Sequence, residues 1–178
     1  MKAYELTSWL EKKYPSDAAE DWDNVGLLAG DDTNEISHVF LALDLTEETL
    51  AEAIEDGADM IITHHPMIFS GIKKINNHSF TGRKILTLIQ KGIVYYAMHT
   101  NFDIMGMADA AADELKLPHE MTLRECAQYI KQCFDVSMVR VYGEPETPVY
   151  KAAICPGSGK SVIQAALDKH ADVLITGD

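Results

Sequence analysis

Short apolar runs, each closed by a polar residue of chemical interest, alternate with helical segments along this chain. Residues 39–43 read as a buried strand ending at Asp44, residues 60–63 as one ending at His64-His65-Pro66, and residues 93–97 as one ending at His99. Between them, Leu50, Ala53 and Ile54 lay an apolar stripe on a helix that Thr46 caps and Gly57 stops. A second intervening helix, from about Thr81 to Lys91, is closed by Gly92. Apolar strands alternating with helices point to an α/β fold with a mainly parallel sheet.

The flanks are read in the same way. A helix over 3–14 stops at Pro15, and the turn at Trp22 runs into a short apolar strand. An Ala-rich helix covers 107–115 and another covers 123–134. A strand is expected over 136–142, then a Pro-rich link over 143–148, and a strand over 151–155. A Gly-rich loop, a helix over 162–167 and a last strand over 173–176 complete the pattern.

Ala58-Asp59-Met60-Ile61-Ile62-Thr63 is matched by Ala171-Asp172-Val173-Leu174-Ile175-Thr176, 113 positions on, and each is preceded by a strand, a loop and a helix. Two similar α/β halves follow from this internal repeat: residues 1–120, and residues 121–178 as the start of a second half. The counterpart of Asp103 falls beyond Asp178, so the second half is expected to be incomplete.

A length of 178 residues suits one large domain or two small ones. With 47% apolar and 24% charged residues the composition is that of a globular protein. A net charge of −13 repels phosphate backbones and excludes general nucleic-acid binding. Cys126, Cys133 and Cys155 form no CxxC pair and suit a reducing compartment. The N-terminus lacks the apolar core of a signal peptide, and no run is long enough for a membrane helix. A cytoplasmic protein without membrane contact is expected.

Asp44, His64, His65, His99 and Asp103 all fall at the carboxyl ends of strands, the edge where open α/β sheets bind ligands. Neighbouring residues leaving a strand diverge, so two cations, each taking one imidazole and sharing a carboxylate such as Asp103, suit His64-His65 better than one. Such a pair activates water and clamps the oxygens of a displaced group. Imidazole with carboxylate suits Zn, Mn or Fe. The alternative is that these residues cap a strand and a helix, and spacing alone leaves both open. His99 reads equally as a ligand or a buried hydrogen-bonded ring; His38, His78, His119 and His170 sit in polar or boundary contexts. The loop over 156–161 lacks the first glycine of a phosphate loop, Ile154 standing there, and reads as a tight turn. No G-x-S-x-G elbow is present.

Trp22-Asp23-Asn24-Val25-Gly26-Leu27, Asp44, His64-His65-Pro66-Met67-Ile68-Phe69, His99-Thr100-Asn101-Phe102-Asp103 and Ile175-Thr176-Gly177-Asp178 together resemble the Nif-three-like family (NGG-interacting factor three-like), also called GTP cyclohydrolase I type 2 homologues. The resemblance covers essentially the whole chain. It implies two similar α/β halves, a ring-like homohexamer, and a dinuclear site of divalent metals, with His64, His65 and Asp103 among the ligands. The family's remaining ligands lie in a Gly-His-x-x-x-Glu motif that this sequence does not contain. The implied activity is metal-dependent hydrolysis of a nucleotide-like or phosphoester small molecule. His99 or Asp44 would position water or substrate, and Asn24 or Asn101 would contact it. A non-catalytic metal-binding scaffold acting through protein partners is the other reading.

Overall fold

The computed structural model describes all residues except 116, 118, 119, 158 and 178. His119, singled out above, therefore lies outside the described residues. The chain divides into two compact units, Met1–Met105 and Gly106–Asp178.

The first unit begins with helix α1 (Ala3–Lys13) and continues through strands β1 (Gly26–Ala29) and β2 (Val39–Ala42). Helix α2 (Glu47–Glu55), strand β3 (Met60–Thr63), helix α3 (Phe80–Lys91) and strand β4 (Val94–Ala97) follow. These strands form one sheet in the order β1-β4-β3-β2. Strands β2, β3 and β4 are parallel, with Ala42, Thr63 and Ala97 side by side at their ends. By contrast β1 is antiparallel to β4, pairing Gly26 with Ala97. The segment entering β1 thus arrives at the same edge that the parallel strands leave. That juxtaposition is invisible in a strand-by-strand reading.

Side chains alternate across the sheet, as the pleat requires. Met60, Val94 and Tyr96 pack with Ala3 and Leu10 of α1 on one face. Ile61 and Tyr95 pack with Leu50 and Ala53 of α2 and Leu88 of α3 on the other. Both faces are covered, which is why these strands are apolar throughout. The helix ends follow local chemistry. Thr46 accepts from the Thr49 amide, Ser79 accepts from the Gly82 amide, and Gly92 closes α3 at φ 69° in the left-handed region.

After β4 comes one helical turn, Thr100–Phe102, and a π-helical turn, Asp103–Met107. In the second unit, helix α4 (Ala108–Leu115) precedes β5 (Met121–Thr122) and α5 (Leu123–Cys133). Strand β6 (Pro148–Val149) pairs antiparallel with β5, and β7 (Ala152–Cys155) pairs parallel with β8 (Val173–Thr176) across helix α6 (Ile163–Asp168). Leu115, Cys126, Ile130 and Val149 form its core, which Cys133 also borders; burial pushes the Cys126 thiol up.

The strand expected over 136–142 is not formed. Asp135 takes a positive φ of 47° after α5, and the following residues run irregularly with Met138 and Tyr142 exposed. Apolar alternation stabilises a strand only where a neighbour accepts its ladder. Here the partner of β5 is supplied instead from the end of the Pro-rich link, by Pro148 and the buried Val149 that follows it.

The β2-α2-β3 and β7-α6-β8 segments share their backbone bonds at the 113-residue offset. The Asp59 and Met60 amides both point to the His38 carbonyl, and the Asp172 and Val173 amides to that of Lys151. The helix ends correspond too. Ala58 N–H donates to Ala53 and Ala171 N–H to Ala166. Gly57 and His170 take left-handed φ values of 70° and 54° at the same place. His170 is thus a helix-terminating residue.

Candidate metal centre

Parallel registration of β2, β3 and β4 delivers Asp44, His64-His65 and His99 to one sheet edge. The ring centroids of His64 lie 5.0 Å from His65 and 5.1 Å from His99, with His65 and His99 5.6 Å apart. One nitrogen from each ring lies within 4.8 Å of the other two, the one histidine-cysteine-carboxylate cluster of this kind among the described residues. Asp103, on the π-helical turn, places Oδ1 3.6 Å from His64 Nε2. That is near the separation of two ligands on one cation, about 3.3 Å for tetrahedral zinc.

Each ring is held through the same nitrogen. His64 Nδ1 is 3.0 Å from the Met98 carbonyl, which only accepts, so the proton is on Nδ1. His65 Nδ1 donates to Asp44 Oδ1 at 2.9 Å, and His99 Nδ1 to Asp23 Oδ1 at 2.9 Å. Nε2 is then the lone-pair nitrogen in all three. Carbonyl and carboxylate partners on the far nitrogen are how proteins orient metal-ligating histidines. The donor set fits a divalent cation. Burial, reinforced by the nearby His99 and His65, outweighs the pull of Asp103 and holds the His64 pKa below its ordinary value. The ring is therefore held in the neutral form that ligation requires.

The turn carrying His65 is fastened from beneath. Pro66 offers no amide proton, and side chains bind the groups on either side of it, the His65 carbonyl and the Met67 amide. The Thr63 hydroxyl donates to the His65 carbonyl at 2.8 Å and lies 2.7 Å from Tyr95 Oη. Tyr95 Oη accepts the Met67 amide at 2.8 Å and lies 3.3 Å from the same carbonyl. Thr63 and Tyr95 thus share the His65 carbonyl as an acceptor and bond to each other, and burial keeps the phenol above its usual pKa. Nearby, the buried Lys84 ammonium donates to the carbonyl of Leu45, pinning the residue after Asp44.

Asp23 is the residue whose role the sequence did not disclose, though it stands within the Trp22–Leu27 motif. Its side chain has no exposed surface, and it takes hydrogen bonds from His99, from the Thr100 amide and hydroxyl, and from the Asn24 amide. Burial opposes ionisation, but these donors hold its carboxyl below the ordinary range. Asn24 donates to the Ile68 carbonyl at 2.5 Å. Asn101, expected to meet substrate, is instead fully buried: its carbonyl oxygen accepts the His99 amide and its amide donates to Tyr14. The Gly-rich loop carries left-handed Gly157 and Gly159 and receives the Gly177 amide on the Gly157 carbonyl, a turn as expected; Ser158 lies outside the described residues.

Fold and site together define an α/β protein with a histidine–carboxylate cluster at the carboxyl edge of a parallel sheet. The profile of the Duf34/NIF3 family (NGG1p interacting factor 3) matches residues 1–119 and 114–178, and the chain belongs to that family. A GTP cyclohydrolase 1 type 2 homolog of Clostridium perfringens is 34% identical over 203 positions, spanning 100% of this chain and 78% of the relative. One from Clostridium acetobutylicum is 31% identical over 204 positions, spanning 100% and 76%. The crystal structure of a Staphylococcus aureus hypothetical protein superposes with a TM-score of 0.88 at 30% identity, spanning 100% of this chain and 79% of that one. No helix among the described residues is long and apolar enough to cross a membrane.

Proposed function

We propose that this protein is a divalent-metal-dependent hydrolase acting on a small nucleotide-like or phosphoester substrate. The observation that carries the reading is the shared orientation of His64, His65 and His99, each fixed through Nδ1 with Nε2 left for a cation. His64, His65 and Asp103 are the ligands of a two-metal centre of Zn, Mn or Fe. Bound there, the cations would supply Lewis acidity and lower the pKa of water. Asp44 orients His65 and, with His99, positions water or substrate. The relatives' name, GTP cyclohydrolase 1 type 2 homolog, supports hydrolysis at a purine nucleotide. The chain works as a cytoplasmic homo-oligomer, a hexamer by the family's pattern. Residues 1–120 form the α/β half that carries the site, and residues 121–178 belong to a second half.

The test is metal content per protomer by elemental mass spectrometry, without chelators or a nickel column, followed by assays on GTP and a phosphodiester. About two ions, lost in His65→Ala together with hydrolysis, is the expected outcome. Folded protein without metal would sink the reading. Bound metal without any turnover that His65→Ala abolishes would leave a metal-binding scaffold instead.

A further inference from the structure

The turn that carries Asp23 to His99 also carries Trp22, which the metal centre does not use. Trp22 is 56% exposed, and its indole meets the His99 ring edge-on, centroids 5.9 Å apart at 75°. The Phe69 ring, 51% exposed, lies 5.8 Å from it at 35°. Rings of this size ordinarily stabilise a fold by being buried. These two are held outward by buried structure beneath them. Asp23 anchors one side through four hydrogen bonds, and Asn24 ties the Ile68 carbonyl, next to Phe69, to the same turn. The pair is a fixed platform, and its rings continue without a break through His99 to His64 and His65.

We infer that Trp22 and Phe69 form a stacking subsite for a planar heterocyclic ring of the nucleobase class, set beside the histidine centre. The inference rests on the proposed function and narrows its substrate to molecules that carry such a ring. Flat π-faces recognise any base by stacking. A base stacked on these rings gains contact area that a sugar phosphate alone does not offer. A phosphoester lacking a ring gains nothing from this surface.

The sequence holds two tryptophans, so Trp9→Phe leaves Trp22 as the sole reporter. Its fluorescence is followed during titration with guanosine monophosphate and, separately, ribose 5-phosphate, on chelator-stripped and metal-loaded protein. Saturable quenching by the nucleotide alone is expected, with Phe69→Leu raising the half-saturating concentration by about fivefold or more. No saturable response, an equal response to ribose 5-phosphate, or an unchanged titration in Phe69→Leu would overturn the subsite. So would a Phe69→Leu protein altered only in oligomeric size, which would assign the face to contacts between copies. Metal content of the same samples separates the two readings. Nucleotide quenching without metal retention removes the metal centre and keeps the platform; metal retention without quenching does the reverse.

Discussion

The β2-α2-β3 and β7-α6-β8 segments share strand register and several backbone hydrogen bonds but carry different side chains. Their strand registers coincide at the 113-residue offset, and so do the bonds that start the second strand and end the helix. They part at the strand ends. There the His64 amide reaches the Ala42 carbonyl, whereas the Gly177 amide reaches that of Gly157. Where the first segment has Asp44 and His64, the second has Gly157 and Gly177. A shared scaffold thus carries a candidate centre in one place and a plain turn in the other. The fold supplies an edge, and the residues after the strands decide whether it holds chemistry.

The comparison breaks first on packing. Ile61 is fully buried between helices and sheet, whereas its counterpart Leu174 is only half-buried. Ile61→Ala should cost about 3 kcal/mol in urea unfolding, and Leu174→Ala roughly half that. Equal costs would show that the two strands bear equal load. A finer contrast lies in Thr63, under the His65 turn, and its exposed counterpart Thr176. Thr63→Val keeps the shape but removes the shorter of the two hydrogen bonds to the His65 carbonyl, so metal retention should weaken roughly tenfold while Thr63→Ser retains it. Thr176→Val should leave metal content unchanged; if it does not, the centre reaches further than the first unit.

The smallest effect concerns the aspartates before β3 and β8. Asp59 accepts from the Ser37 amide and hydroxyl and the His38 amide, Asp172 from the Tyr150 and Lys151 amides. These bonds, the Ser37 amide's foremost, lower the Asp59 pKa. Its stabilisation is therefore full above the unfolded carboxyl value, about 3.9, and is lost as pH falls through the lower folded value. Asp59→Asn should cost about 1 kcal/mol at neutral pH, a gap that narrows in thermal melts as the pH is taken below about 3.9. A gap independent of pH would mean that charge plays no part.

Much of this was legible in the sequence, because it was local. The Met60–Thr63 strand, the Thr46 cap and the Gly92 stop follow from periodicity and from single residues with one conformational use. Convergence of Asp44, His64, His65 and His99 on one edge followed from parallel topology. What escaped depends on partners far along the chain. Neither the antiparallel β1 nor the Thr63–Tyr95 pair has a periodic signature. Asp23 meets His99 across 76 positions, and residues 136–142 carry a strand pattern to which nothing pairs.

That separation also orders assembly in time. Asp44 and His65 are 21 positions apart and are joined by one strand–helix–strand unit. The third ring is fixed only when a loop of 76 positions closes, at about 1 kcal/mol more in chain entropy than the shorter one. During synthesis the two neighbouring histidines emerge while β4 is still unmade. The rings of His64 and His99 are both fixed only once β4 is made, His64 through the Met98 carbonyl just beyond it and His99 through Asp23.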